Sequence, residues 1–267
     1  MRIITLIENL VYKRDLYAEH GLSLYIETDN KKILFDTGQS PAFLSNAEKL
    51  GINVKKIDAV IISHGHYDHS GGLYPFLRIN TNAKIYIKKE AFLPKYKDNH
   101  EFIGITYDPL LLDDRVEYVN DIFEIDKGVY IMPNIPITEI HDTSFKKFQI
   151  KKDNGFENDD FQDELFLSIT RNNELSIISS CSHRGITNIV NTAIKQFNLP
   201  VNLILGGFHI KDSGANQYIA ITNCLEQISP KSIGVCHCTG IEKYADLLYQ
   251  CNHKVFYNFT GNEINIS

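Results

Sequence analysis

No apolar run in this sequence approaches the ~20 residues needed to cross a bilayer. The N-terminal MRIITLIENLVYKRDL is too short and too interrupted in its apolar character for a secretory signal. A basic excess is also missing: 27 Lys and Arg face 33 Asp and Glu, leaving a net charge of −6. That balance argues against a surface built to track nucleic acid and favours a small-molecule substrate. Cysteine is sparse and odd in number, with five residues confined to the last third (Cys181, Cys224, Cys236, Cys238 and Cys251). Such a set does not make a disulfide framework and fits reduced thiols in a cytoplasm. Tryptophan is absent, which reflects composition rather than mechanism, and neither repeats nor low-complexity tracts occur.

What remains is an ordinary globular chain, 43% hydrophobic and 22% charged over 267 residues, long enough for a sizeable core. Short β-branched segments at Met1–Glu8, Leu22–Thr28 and Lys32–Phe35 read as strands, the last two joined by a turn at Asp29-Asn30. Ser40-Pro41 opens a helix that Gly51 ends. Asp58–Ile62 is a continuous apolar run, the pattern of a strand covered on both faces. The middle is less regular: strands are expected at Ala83–Ile87, Arg115–Val119 and Val129–Met132, with loops or a lid near 88–115 and 151–163. Phe92, Tyr96, Phe102, Phe156 and Phe161 in those segments are expected mostly to be core. The last third alternates again, with a hairpin around Asn172-Asn173, helices at Gly185–Phe197, Gly214–Gln227 and Ile241–Gln250, and strands at Val201–Leu205 and Ser232–Val235. An α/β fold in one domain spanning 1–267 follows, with two sheets packed together and helices outside.

The stretch VIISHGHYDHSGGL concentrates His64, His66, Asp68 and His69 just past an apolar strand. A polar loop is the plain alternative. Three other histidines, His183, His209 and His237, also follow apolar strands, and strand ends on one sheet edge converge. Imidazole with carboxylate is the donor set of zinc and similar ions. The spacing of His64 and His66 suits one ion, and Asp68 with His69 a second close by. Asp36, in FDTG, is a turn former or an acceptor that orients a ligand imidazole. Its single copy excludes aspartic-protease chemistry, which needs two. Arg184 precedes a helix, where it either binds a substrate anion or makes a surface salt bridge. Cys236 and Cys238 flank His237, and strand alternation would turn them to the opposite face as packed thiols.

HGHYDH resembles the His-x-His-x-Asp-His signature of the metallo-β-lactamase superfamily, and ILFDTGQS, GGFHI and HCTG resemble its other segments. EHGLSLYIE, NAEKLGI, SHGHYDHSGGL and SCSHRGITNIV are similar to one subgroup, labelled metal-dependent hydrolases or dihydropterin-ribofuranosylaminobenzene-phosphate synthases. The resemblance implies a four-layer αββα sandwich and two divalent ions, zinc first, with manganese or iron as alternatives. It implies that His64, His66 and His183 hold one ion and Asp68, His69 and His237 the other. The chain departs from the superfamily where many members have a bridging aspartate: SCSHRG has none, so His183 acts alone or Cys181 bridges.

The expected activity is that of a hydrolase directing a metal-bound hydroxide at a small, anionic ester or phosphoester. Asp68 would position the nucleophile, and His209 or Arg184 would bind negative charge. Alternatives are pterin-linked C–N condensation, oxidation at iron, and metal binding without catalysis. No membrane association is expected, and the oligomeric state is not legible.

Overall fold

A computed structural model describes residues 1–267 except Asn99, Asp113 and Asn252. The first two of these fall within the 88–115 segment and lie outside the described residues. The chain divides into two compact units: 1–120 with 146–163 and 259–267, and 121–145 with 164–258.

In the first unit, strand Arg2–Ile7 pairs antiparallel with Glu263–Asn265 on one side and Ser23–Glu27 on the other. Lys32–Phe35 follows antiparallel, and Ala59–Ile61, Lys84–Ile87 and Val116–Tyr118 then add in parallel. Parallel neighbours need crossovers, and helices Ala42–Lys49 and Leu73–Ile79 supply the first two. Gly51, just past the first of these helices, has φ +74°, as a helix-ending glycine should. Ile4, Leu6, Leu34, Val60 and Ile85 from the strands close a core with Phe43, Leu73 and Phe76 from the helices. Asn46 is the polar member of this packing. Its side-chain amide donates to the carbonyls of Leu6 (2.7 Å) and Tyr17 (2.8 Å) and accepts from the Tyr17 N–H.

The segments expected as loops or a lid, with the residues just before the second of them, form a third, four-stranded antiparallel sheet. Its order is Gly155–Asn158, Phe148–Lys152, Lys95–Lys97, Glu101–Phe102. Phe148 and Ile150 alternate inward, but two apolar residues among lysines leave too weak a period-two signal to read. The aromatics there are not mostly core: Phe161 is fully buried, but Phe102 and Phe156 are exposed.

The second unit holds a seven-stranded sheet. Phe123–Asp126, Val129–Met132, Phe166–Arg171 and Glu174–Ile178 pair antiparallel in that order. Val201–Gly206, Ser232–Val235 and Lys254–Tyr257 then extend it in parallel. Asn172 and Asn173, both at positive φ, make the tight turn of the central hairpin. Helices Ile186–Phe197, Ala215–Ile228 and Ile241–Gln250 are the crossovers. Each apolar run is thus followed by a carboxyl-end loop, where open α/β sheets place their ligands.

Replacing Asn46 by Ala leaves three backbone groups of the Leu6 and Tyr17 segments without their partner. The variant should lose about 1–3 kcal/mol in urea denaturation; a loss under ~0.5 kcal/mol would show that water takes over these bonds.

Candidate metal centre

Asp36 follows strand Lys32–Phe35, and Ser63 follows Ala59–Ile61, its parallel neighbour, so adjacent carboxyl ends bring them together. Asp36 is fully buried at φ +59°, a left-handed conformation that side chains adopt at a cost. Its Oδ1 accepts the Ser63 N–H at 2.7 Å and its Oδ2 accepts the Ser63 hydroxyl at 2.7 Å. The same Oδ2 stands 2.9 Å from Nδ1 of His69. The Ser63 oxygen in turn lies 2.9 Å from Nδ1 of His64.

This arrangement dictates tautomers. The single Ser63 proton goes to Asp36, so the Ser63 oxygen accepts Nδ1–H of His64, and Asp36 accepts Nδ1–H of His69. Both rings are then assigned lone pairs on Nε2, the atom a metal would use. Asp36, expected as a turn former or an acceptor for an imidazole, stands within hydrogen-bond distance of the His69 ring.

Helix Tyr67–Ser70 carries Asp68 and His69, and His66 sits at its N-cap in extended conformation. The His64 ring centroid is 4.7 Å from that of His66 and 4.4 Å from that of His69. Asp68 Oδ2 lies 3.5 Å from Nε2 of His69 and 3.2 Å from Nε2 of His20, whose ring is largely exposed. His20 beside Asp68 was not anticipated. Gly65 lets this turn form: a Cβ there would overlap the Ala91 carbonyl.

The charges are strongly coupled. Burial lowers the His64 pKa well below its usual value, and the nearby His69 and His66 reinforce this, which leaves a neutral, ligand-competent ring. For His69 burial also acts downward, but the Asp68 charge and the hydrogen bonds to Asp36 and Asp68 outweigh it and raise the pKa to about 10. An ion bound to this ring therefore takes the place of a proton.

The second unit builds its donors the same way. Cys181 and His183 follow strand Glu174–Ile178, His209 follows Val201–Gly206 and His237 follows Ser232–Val235. Cys181, His183 and His209 each bring a ligand atom to within 4.8 Å of the others, and so do Cys181, His237 and Cys238. The His183 and His209 ring centroids are 4.3 Å apart. Ser182, His209 and His237 all have φ between 50° and 56°. Left-handed residues at three strand ends mark backbone held in costly conformations where side chains must be aimed.

The alternation argument for Cys238 fails for this reason. His237–Thr239 is a 3₁₀ turn rather than strand, so Cys238 swings to the side of Cys181 and His237, while Cys236 is buried.

Glu164 went unnoticed in the sequence, yet it fixes the His183 loop. Its two oxygens accept the backbone N–H groups of His183 and Arg184, each at 2.7 Å. Arg184 donates from Nε to the Ile135 carbonyl at 2.9 Å. Asp142 accepts both the N–H and the hydroxyl of Thr187, bracing the start of helix Ile186–Phe197. Burial, opposed by the Thr187 hydrogen bonds, pushes the Asp142 pKa up to about 7.

The profile of the Metallo-beta-lactamase superfamily matches residues 16–147. A 7,8-dihydropterin-6-methyl-4-(β-D-ribofuranosyl)-aminobenzene-5′-phosphate synthase of Methanocaldococcus jannaschii is 32% identical, over 91% of this chain and 88% of its own length. The chain belongs to the metallo-β-lactamase superfamily. An uncharacterized protein of the same organism is 34% identical over 98% of both chains. A crystal structure described as a metal-dependent hydrolase of the β-lactamase superfamily superposes with TM-score 0.89 at 29% identity, covering 100% of this chain and 99% of that one. The metallo-β-lactamase fold expected from the histidine motif is therefore the fold of this chain, and with it comes a divalent-metal site. The donors suit such ions: imidazoles, a carboxylate and a thiol, each in a buried or half-buried position.

Removing the Asp36 carboxylate should cost more than its own bonds. Asp36→Ala is expected to weaken zinc binding about 10–100-fold in competition with a chromophoric chelator; unchanged affinity would mean that Asp36 does not set the rings. Because the Asp142 pKa is raised on folding, its contribution is fully present below about pH 4 and lost as the pH rises through 7. Asp142→Asn should therefore gain stability relative to the wild type between pH 5 and pH 8, by up to a few kcal/mol, in urea titrations at both pH values. An unchanged difference would place the carboxyl group's titration elsewhere.

Proposed function

We propose that this enzyme is a cytoplasmic metal-dependent hydrolase acting on a small, anionic ester or phosphoester. In this reading His64, His66 and His183 hold one divalent ion, zinc first, and Asp68, His69 and His237 hold the second. The observation that carries it is the Asp36–Ser63 network, which aims Nε2 of two signature histidines as ligand atoms. Whole-chain likeness to a metal-dependent hydrolase supports it.

Ions at such a centre polarise a substrate oxygen and lower the pKa of a water at neutral pH. The remaining work falls to the chain. Asp68, one oxygen close to both His69 and His20, is assigned to orient the attacking water. His209, half-exposed beside His183, is assigned to charge developing on the substrate, and Arg184 to a fixed anionic group. Glu164 keeps His183 in place through the main chain. Cys181, within 4.8 Å of the His183 donor, is the alternative bridging ligand.

The second reading is pterin-linked condensation. The 32%-identical relative bears that name. This chain also carries a surface aromatic cluster suited to a flat heterocycle: His100 stacks on Phe156 at 3.9 Å, and Tyr96 meets Phe156 and Phe102 edge-on at 5.1 and 5.5 Å.

The protein purified without added metal or chelator should contain about two ions per chain and hydrolyse a chromogenic phosphodiester. Both should be lost in a His66→Ala/His69→Ala variant, and zinc should restore turnover to chelator-treated wild type. Metal-loaded protein that is inert toward esters and phosphodiesters but quenches a dihydropterin's fluorescence tightly would replace hydrolysis by the second reading.

A further inference from the structure

The proposed function makes no use of a second buried ion cluster in the first unit. Lys95, only 1% exposed, reaches Asp159 Oδ2 at 2.6 Å and Asp163 Oδ1 at 2.9 Å. Both carboxylates are buried as well. The remaining oxygen of Asp163, Oδ2, accepts the N–H of Gly65 at 2.7 Å, in the middle of the His64-Gly65-His66 turn. Phe161 lies between the two acids, with its own N–H on Asp159. Its ring centroid is 5.1 Å from the Lys95 ammonium, 5.2 Å from the His66 ring and 6.2 Å from the His64 ring.

A buried ion triad is a poor way to gain stability. Desolvation cancels most of its attraction, and well-packed apolar residues often do as well or better. What charge contributes here is direction. Asp163 must present one oxygen to Lys95 and the other to Gly65, so its plane is set from both ends. The two amides flanking His64 are then each held by a buried carboxylate: Ser63 N–H by Asp36, and Gly65 N–H by Asp163. The Ala91 carbonyl closes the turn from another side.

We propose that Lys95, Asp159 and Asp163 are positioning residues that hold the His64-Gly65-His66 turn in metal-ligating geometry, joining the four-stranded sheet to the metal centre. This inference rests on the metal reading above. A purely structural triad would change unfolding behaviour alone. A positioning triad changes the metal's surroundings in protein that remains folded.

The test uses the full-length chain with zinc affinity measured by chelator competition and the visible spectrum of the cobalt(II)-loaded protein. Asp163→Asn has one acceptor oxygen for two donors, so it should bind zinc about 10–100-fold more weakly and show an altered cobalt spectrum. Lys95→Met/Asp159→Asn keeps the cluster's net charge and frees Asp163 from its anchor. It should show the same spectral change with a smaller loss of affinity, and it decides the matter if Asp163→Asn does not fold. Folded variants with wild-type affinity and spectrum would overturn the positioning role and leave the metal reading intact. Wild-type protein that takes up neither zinc nor cobalt would overturn both.

Discussion

One carboxylate organises the signature histidines. Asp36 accepts from the Ser63 main chain, the Ser63 hydroxyl and the His69 ring, and through Ser63 it reaches the His64 ring. Buried carboxylates are costly unless their lone pairs are used, and these are. The constraint runs in both directions. The network uses the oxygens of Asp36 in the interior, and Asp36 determines which nitrogen the His64 and His69 imidazoles present. The His-x-His-x-Asp-His motif names the candidate donors, and two of them, His64 and His69, are oriented by a residue 28 positions before the first.

The same economy recurs where the backbone is left-handed. Asp36, Ser182, His209 and His237 are non-glycine residues at positive φ, each within a few residues of a parallel strand's carboxyl end. Such conformations persist only where surrounding bonds over-determine them. Asp36 has its three acceptor contacts, and the Ser182 hydroxyl bonds to the Gly207 carbonyl and Ser179. The His183 loop that follows is tied down by Glu164 and Asp142. Rigidity at the strand ends is therefore supplied by buried acidic side chains.

Much of this was legible in the sequence. The strand–helix alternation, the turns at Asn172-Asn173 and Gly51, and the clustering of His64, His66, Asp68 and His69 past a strand end follow from apolar periodicity and motif spacing. The four-stranded sheet was not, because strands as short as Lys95–Lys97 and Glu101–Phe102 carry too few alternations to register. Nor were the acids of DDFQDE, which read as a solvated loop but place Asp159, Asp163 and Glu164 in the interior. Composition reports that such residues are charged. Only the paired Lys95 and the main-chain donors of Gly65, His183 and Arg184 explain why they are buried. Cys238 was misread because alternation was assumed to continue through His237, where the strand has already turned.

The most direct test of this account is long-range ¹⁵N–¹H NMR of the imidazoles in zinc-loaded protein. The Asp36–Ser63 network predicts that His64 and His69 both carry their proton on Nδ1 and show the coordination shift at Nε2. A proton on Nε2 of either ring, or coordination through Nδ1, would contradict it.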